Sequence, residues 1–193
     1  MDQTSANPVL AFLLSRRSHP AAALRAPAPD DQTLGTLLAA AARVPDHGTL
    51  EPWRFLVIEP GARARLAALL RARGKVLAID PVKIEKSAQS WLNAPMIVAV
   101  ISTPRPSDKV PEVEQLLSAG GVCLSLVNAA LASGWGAAWI TGWAAFDRVF
   151  VETGLGLTAG EQIAGFIHLG RGETPPAERP RPDVATLTTR LEQ

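Results

Sequence analysis

Two short polar groups in this chain of 193 residues have the residue types that bind ligands. In the first, Arg16, Arg17 and Ser18 stand in a row at the end of a helical pattern. Two guanidinium groups beside a hydroxyl suit the oxygens of a phosphate. Cations at that place would also complement the dipole of the helix, so the row has a purely structural explanation as well.

The second polar group, Arg43 to Trp53, lies between a helical pattern and an apolar run. A connector that holds Arg43 and His47 can present polar groups to a ligand from a rigid scaffold. Pro45 and Gly48 would equally explain a plain loop that stops the helix before a strand. The spacing alone leaves both explanations open.

Composition and charge exclude several classes of protein. The net charge is +1, from 19 basic and 18 acidic residues, so no long-range field favours nucleic acid or an anionic membrane. The three histidines are scattered and Cys123 is the single cysteine, which predicts neither a zinc site nor an intrachain disulfide. Residues 1–7 lack the pattern of a secretory signal, so we expect a cytoplasmic protein.

The stretch from Gln115 to Phe146 has no charged residue and requires a membrane check. A transmembrane helix needs about 20 consecutive apolar residues. Here glycines and polar residues interrupt the run, which favours a buried helix, a glycine turn and a buried strand.

The pattern of apolar residues predicts one α+β domain, because helices and strands mix without a regular βαβ period. Helices are predicted at 8–17, 31–43, 61–73, 112–133 and 144–152, with a less regular helical segment at 75–91. Strands are predicted at 53–59, 95–102, 137–141 and 162–169, of which 95–102 should be buried on both faces. No glycine-rich phosphate loop follows a strand, which disfavours a Rossmann or P-loop protein.

Four local features complete this prediction. Asp30 should cap the helix at 31–43, and Gly74 should end the helix at 61–73. The outward arginines of helix 61–73 should form a solvated face. The proline-rich tail from Arg171 has too little apolar content for a core of its own, and it should be loose or held against another surface.

The order and spacing of several short motifs make this sequence resemble the FMN-dependent nitroreductase family. Besides Arg16-Arg17-Ser18, the motifs are Arg43-x-Pro45 followed by Pro52-Trp53-x-Phe55, the apolar strand after Pro95, Ala-Ser-Gly-Trp-Gly after the long helix, and Gly-Phe-Ile-His-Leu-Gly near the end. Pro45-Asp46-His47 is similar to the YdjA-like branch of the family. The resemblance extends from Pro8 to Arg171.

The resemblance implies an α+β nitroreductase-like fold, with a central, mostly antiparallel sheet flanked by helices. Residues 8–171 would form the FMN-binding domain, and residues 172–193 an extended tail exchanged onto the partner of a homodimer. FMN would lie at the dimer interface. The enzyme would use NADH or NADPH to reduce nitro compounds, quinones or related small-molecule acceptors by ping-pong hydride transfer, with no nucleic-acid or membrane partner.

The resemblance also assigns residues, with no catalytic side chain because the chemistry is centred on the flavin, and with no metal. The FMN-binding residues would be Arg16, Arg17, Ser18, Arg43, His47, Trp139, Ile140 and Thr141. The residues that contact NAD(P) would be Ala129, Ala130, Leu131, Ala132, Ser133 and Gly134.

Two departures from the family leave alternatives open. Pro20 stands where relatives often carry a basic residue, and Arg25 could reach in instead. Ile140 stands where the YdjA-like branch has a basic residue. A flavin-storage protein with little turnover and a dimeric scaffold without a cofactor are therefore the competing hypotheses. The tail lacks the usual basic cluster unless Arg171 or Arg179 serves, and Asp46 and Glu51 have no assigned role.

Overall fold

The computed structural model describes residues 7–191 and has the predicted α+β architecture. Within those residues the α-helices are α1 (Pro8–Ser15), α2 (Asp31–Ala41), α3 (Pro60–Val76), α4 (Pro81–Asn93) and α5 (Glu112–Ala132). The strands are β1 (Leu24–Arg25), β2 (Trp53–Ile58), β3 (Met96–Ser102), β4 (Gly136–Ile140) and β5 (Gln162–Gly172).

All five strands join in one sheet in which every pairing is antiparallel, so the expected sheet type is confirmed. The long strand β5 pairs with β3, β4 and, at its end, β1, while β2 extends the sheet from β3. Val98 of β3 lies opposite both Val57 and Ile167. As predicted, β3 is buried on both faces, and Ile97 to Ile101 are 0% exposed.

Each face of the sheet has its own core. On one face, α3, α4 and residues 143–157 pack around Trp91, which meets Phe150 and Phe166 edge-on at centroid distances of 5.4 and 5.0 Å. On the other face lie α2 and α5.

Helix α5 is long and apolar enough to cross a membrane by length and composition. In the structure it packs on α2 and the sheet, with Val122, Cys123 and Leu126 at 0% exposure. A turn at Gly134 and strand β4 follow it, as the sequence predicts. Capping side chains fix the starts of α1, α2 and α4. In α2, Asp30 accepts a hydrogen bond from the Thr33 backbone N–H at 2.8 Å, which confirms the predicted cap.

The prediction that Gly74 ends its helix is wrong. Helix α3 continues through Gly74 to Val76 and packs closely on α4 there. A Cβ atom on Gly74 would lie 2.6 Å from Ile84 Cγ1, so this glycine allows the two helices to approach each other. Helix α4 is a regular helix from Pro81, which corrects the irregular segment expected at 75–91.

The solvated arginine face of α3 is also wrong. Four arginines of this helix, Arg63, Arg65, Arg71 and Arg73, make hydrogen bonds to other parts of the chain. Their acceptors are the carbonyl oxygens of Ala94, Pro95 and Gly154 and the carboxylates of Glu85 and Asp147. These bonds join α3 to α4, to the start of β3 and to the segment after β4.

Three smaller predictions are corrected in the same way. The helix expected at 144–152 is a 3-10 turn (Trp143–Phe146) followed by a π-helical turn (Phe150–Gly154). The connector 19–29 contains a 3-10 turn (Ala21–Ala23) and β1. Strand β5 continues past Gly170 to Gly172, because β1 pairs with its last residues.

Candidate functional site

Arg16, Arg17 and Ser18 follow α1 rather than forming its last turn, since the helix ends at Ser15. The Nη2 of Arg16 donates to Ser18 Oγ at 2.9 Å. The backbone N–H of His19 donates to the carbonyl of Ala137 in β4 at 2.9 Å. This bond ties the segment to the sheet.

A cavity of about 460 Å³ lies over this segment, and we call it the cationic cavity. It is lined by Arg16, Arg17, Ser18, His19 and Pro20 and by Pro176, Ala177, Glu178 and Arg179 of the tail. The Nε and Nη2 of Arg17 both donate to the Ala177 carbonyl, at 3.2 and 2.7 Å. The tail therefore closes this cavity within the same chain.

The charges around the cationic cavity favour an anion. The Nε of Arg16 is buried and has no hydrogen-bond partner among residues 7–191. Burial, and then the like charges of Arg17 and Arg181, lower the pKa of Arg16. Of the lining residues Glu178 alone is acidic, and its carboxylate lies 3.8 Å from Arg17 and 3.0 Å from Arg181. Guanidinium groups held together in this way bind phosphate or carboxylate groups well.

A second cavity, of about 520 Å³, lies beside the first and is bordered by helix α4. We call it the α4 cavity. Besides residues of α4, it is lined by Leu70 and by residues of two segments, 20–24 and 140–144. Lys86 is the one charged side chain in its lining, and Pro20 borders both cavities. The Nε1 of Trp143 is buried at this cavity without a hydrogen-bond partner in the described part of the chain.

Of the three residues at the end of β4 that are expected to contact FMN, Ile140 and Thr141 line the α4 cavity, whereas Trp139 does not. Successive side chains of a strand point to opposite faces of its sheet. The indole of Trp139 lies across Gly165, where a Cβ atom would overlap it, and its Nε1 donates to the Ala164 carbonyl at 3.3 Å. Contact between Trp139 and a ligand in the α4 cavity would therefore be through its backbone.

Arg43 and His47 line neither cavity. His47 Nδ1 lies 2.8 Å from Glu114 Oε2 in the first turn of α5, and both Arg43 and His47 are exposed. Asp46 has a structural role, since its carboxylate accepts from the backbone N–H groups of Leu50 and Glu51 at 3.2 and 2.8 Å. Within one chain, the structure does not bring Arg43 and His47 to the segment Arg16–Ser18.

The residues expected to contact NAD(P) lie at the end of α5 and in the turn after it, and they line neither cavity. Ala130 is 0% exposed, whereas Ala132, Ser133 and Gly134 are exposed. Their role in NAD(P) binding stays a prediction.

Three arginines were considered as substitutes for basic residues that the family has and this chain lacks: Arg25 for the one missing at Pro20, and Arg171 or Arg179 for the cluster missing from the tail. Arg25 donates to the carbonyls of Ala22 and Leu24, and Arg171 lies over the Trp135 ring at 3.9 Å from its centroid. Of the three candidates, only Arg179 lines one of the two cavities described above. Lys86 was missed, because its helix was expected to be irregular.

No cluster of three or more side chains that could hold a metal ion occurs among the described residues. The two neighbouring cavities form the candidate site.

Comparison with known proteins gives consistent matches over nearly the whole chain. A family model described as "Nitroreductase family" matches residues 13–171. "Putative NAD(P)H nitroreductase YdjA" of Escherichia coli strain K12 is 35% identical over 161 residues, 83% of this chain and 86% of that protein.

Two crystal structures have the same fold. A nitroreductase-like family protein from Bacillus cereus superposes with a TM-score of 0.78 at 22% identity, covering 97% of each chain. A nitroreductase with bound FMN from Bacteroides fragilis superposes with a TM-score of 0.70 at 21% identity, covering 96% of this chain and 100% of the other.

Proposed function

The chain belongs to the nitroreductase family, and we propose that it is an FMN-dependent oxidoreductase. It would use NADH or NADPH to reduce nitro compounds, quinones or related small-molecule acceptors. The name of the Escherichia coli relative supports the nicotinamide co-substrate, and the FMN held by the Bacteroides fragilis protein supports the cofactor.

The observation that carries the proposal is the pair of cavities that meet at Pro20. FMN has a phosphate at one end, with about two negative charges near neutral pH, and a flat, mostly apolar ring system at the other. The cationic cavity suits the phosphate, and the α4 cavity suits the ring system. Both volumes lie in the range of about 300–1,000 Å³ that is typical of small-molecule sites.

Six of the lining residues would have a role in this arrangement. Arg16, Arg17 and Ser18 would hold the phosphate through charge-assisted hydrogen bonds, and the buried Nε of Arg16 would gain a partner. Arg179 of the tail would add a further cation. Ile140 and Thr141 would flank the ring system, with Trp139 contributing backbone only.

When bound, FMN would supply the chemistry, which is hydride transfer from NADH or NADPH and electron transfer to the acceptor in a ping-pong sequence. The protein binds and orients the reactants, so no catalytic side chain is required of it. The chain has no tyrosine, so water or a loosely held group would supply the protons rather than a phenol.

We further propose that the protein is a homodimer with FMN at its interface. Helix α1 has no buried residue, and its apolar side chains are exposed: Val9 is 66% and Leu14 59% exposed. Leu117 and Leu124 of α5 are exposed as well. A partner subunit would cover these apolar side chains. It would also bring its Arg43 and His47 to a site that they do not reach within one chain.

Residues 8–171 would be the FMN-binding domain, and residues 172–193 an extended tail. Because residues 176–179 of the tail line the cationic cavity of their own chain, the exchange onto the partner that was expected for 172–193 would be confined to the segment after Arg181. Beyond its contact with Arg17, the tail exposes Val184, Leu187 and Leu191, at 70%, 74% and 96%. Residues 192 and 193 lie outside the described residues. A cytoplasmic location without nucleic-acid or membrane partners completes the proposal.

Titration with FMN tests the site. Arg16→Ala should weaken FMN binding by about 1.5–3 kcal/mol, the range for a hydrogen bond to a charged group. Arg179→Ala should also weaken it. Arg171→Ala is the matched control, since Arg171 stacks on Trp135 away from both cavities, and it should leave the affinity unchanged. An Arg16→Ala protein with the wild-type affinity would contradict the phosphate role.

Mixed dimers test whether two subunits share each site. A dimer of one Arg16→Ala subunit and one Arg43→Ala subunit would hold one fully intact site, so it should bind one FMN with wild-type affinity. Each homodimeric variant should bind both FMN molecules weakly. If each chain instead builds its site alone, the mixed dimer would have no wild-type site.

A flavin-storage protein is the alternative, and Pro20 favours it because no cation stands between the two cavities at this position. Storage predicts bound FMN that NADH and NADPH do not reduce. Our proposal predicts rapid reduction by at least one of the two.

A further inference from the structure

The α4 cavity holds one positive charge and no negative one. Lys86 is its only charged lining residue, and its other polar groups are the hydroxyls and amides of neighbouring residues. Ser90 and Asn93 follow Lys86 at i+4 and i+7, so the three lie on one face of the helix. Ile84, Ala88 and Trp91 bury another face of α4 in the core. The helix therefore fixes the backbone of Lys86 beside the cavity, and the exposed side chain of this residue forms part of the cavity lining.

No carboxylate neutralises this charge within residues 7–191. Lys86 has no ion-pair partner among them. The adjacent Glu85 is already bound by Arg71, at 2.8 and 2.7 Å, and by Gln89 at 2.8 Å. An ammonium group without an ion-pair partner, at the border of a cavity whose lining has no acid, attracts a negative charge on whatever binds there.

If the ring system of FMN occupies this cavity, its charge changes when it is reduced. Reduced flavin is readily anionic at N1, whereas the oxidised ring is neutral, and charge near N1 is one of the means by which a protein sets the reduction potential. Pro20 cannot supply a cation, and Arg25 is bonded to backbone carbonyls and lines neither cavity. Among the residues that line the α4 cavity, this leaves Lys86.

We propose that Lys86 supplies the positive charge that stabilises reduced FMN and thereby raises the reduction potential of the flavin. The inference rests on the proposed function, because it takes the occupant of the α4 cavity to be the FMN ring system. It gives Lys86 a positioning and electrostatic role that does not depend on which acceptor is reduced.

The test compares the affinities for oxidised and reduced FMN in Lys86→Met, which keeps an unbranched side chain of nearly the same length and removes its charge. The ratio of the two affinities should shift by at least about tenfold against reduced FMN, the lower end for a hydrogen bond to a charged group. A tenfold shift lowers the two-electron potential by about 30 mV, which an anaerobic titration against a reference dye measures. Lys86→Arg should restore most of the wild-type potential.

Lys83→Met is the matched control, because Lys83 lies on the same helix but outside the lining of either cavity. It makes the same change in net charge and should leave the potential unchanged. An equal shift in Lys83→Met would show a nonspecific charge effect and overturn the inference.

The remaining outcomes are also distinct. An unchanged potential in Lys86→Met, with weaker turnover of a nitrobenzoate but not of an uncharged nitrobenzene, would assign Lys86 to anionic acceptors and overturn the inference. Wild-type protein that binds no FMN would refute the proposed function itself. If Lys86→Met weakens the binding of oxidised and reduced FMN by the same factor, Lys86 contributes to affinity alone, and the inference is also overturned.

Discussion

His168 should make the fold lose stability in mildly acidic solution. This side chain is 0% exposed in strand β5, and neither ring nitrogen has a hydrogen-bond partner among the described residues. Burial, with a smaller contribution from the charge of Arg63, lowers the pKa of His168 from 6.5 to about 4. The imidazole is therefore neutral in the folded protein at a pH where it is charged in the unfolded chain.

The sign and size of the effect follow from linkage. Between pH 6.5 and pH 4 the unfolded state binds the extra proton, so the free energy of unfolding falls as the pH falls. With those two pKa values, His168 alone should remove about 1.4 kcal/mol by pH 5.5 and about 2.5 kcal/mol by pH 4.5, relative to neutral pH. The paired carboxylates Asp147 and Glu161, whose pKa values are lowered by Arg73 and Arg54, lose their contribution only at lower pH.

Urea unfolding of wild type and His168→Leu from pH 7 to pH 4.5 measures the loss of unfolding free energy that is due to His168. Both proteins should be compared at one protein concentration and one FMN concentration. Leucine cannot titrate, and no described residue donates to or accepts from His168, so the substitution leaves no hydrogen-bond partner unpaired. The difference in unfolding free energy between the two proteins should change by about 2.5 kcal/mol in favour of the variant at pH 4.5. Parallel losses in the two proteins would refute a buried, neutral His168.

Three further predictions follow from packing and exposure. Gly74→Ala should destabilise the fold by about 1–3 kcal/mol, because the new Cβ meets Ile84, whereas Gly35→Ala, with open space around it, should stabilise the fold by about 0.5–1 kcal/mol in the same thermal unfolding measurement. Trp91→Ala should cost about 3–5 kcal/mol in urea unfolding, because it leaves a large cavity in the core. His47→Ala should weaken FMN binding with no change in melting temperature, because this side chain is exposed; a lower melting temperature with FMN affinity unchanged would instead make His47 a structural residue.

Local signals in the sequence were sufficient for the main elements of the fold. The apolar run of β3 predicts a strand that is buried on both faces, and the side chain of Asp30 predicts the start of α2. The cap of α2 depends on residues that are neighbours in the sequence, and β3 is apolar along nearly its whole length. Such features can be read from a short window of sequence.

Tertiary contacts account for the predictions that failed. The arginines of α3 look solvated in a helical pattern, but Arg65 bonds to the Gly154 carbonyl and Arg73 to Asp147, both far along the chain. Gly74 looks like a helix stop in the sequence. The structure shows instead that a glycine is needed there because the side chain of Ile84, on another helix, leaves no room for a Cβ atom. A pattern of local periodicity has no information on such partners.

The candidate site divides in the same way. Arg16, Arg17 and Ser18 are adjacent in sequence, so their joint role could be predicted, and the structure places all three in one cavity. Arg179 comes to them only because the tail folds back. Trp139 was grouped with Ile140 and Thr141, but alternation along β4 turns its side chain to the opposite face of the sheet.

Anaerobic addition of NADH or NADPH to the purified protein saturated with FMN tests the central claim most directly. We predict a yellow complex whose flavin absorbance bleaches with at least one of the two nucleotides and returns when a nitro compound or a quinone is added. A protein that binds no FMN, or one whose bound FMN stays oxidised with both nucleotides, would contradict it.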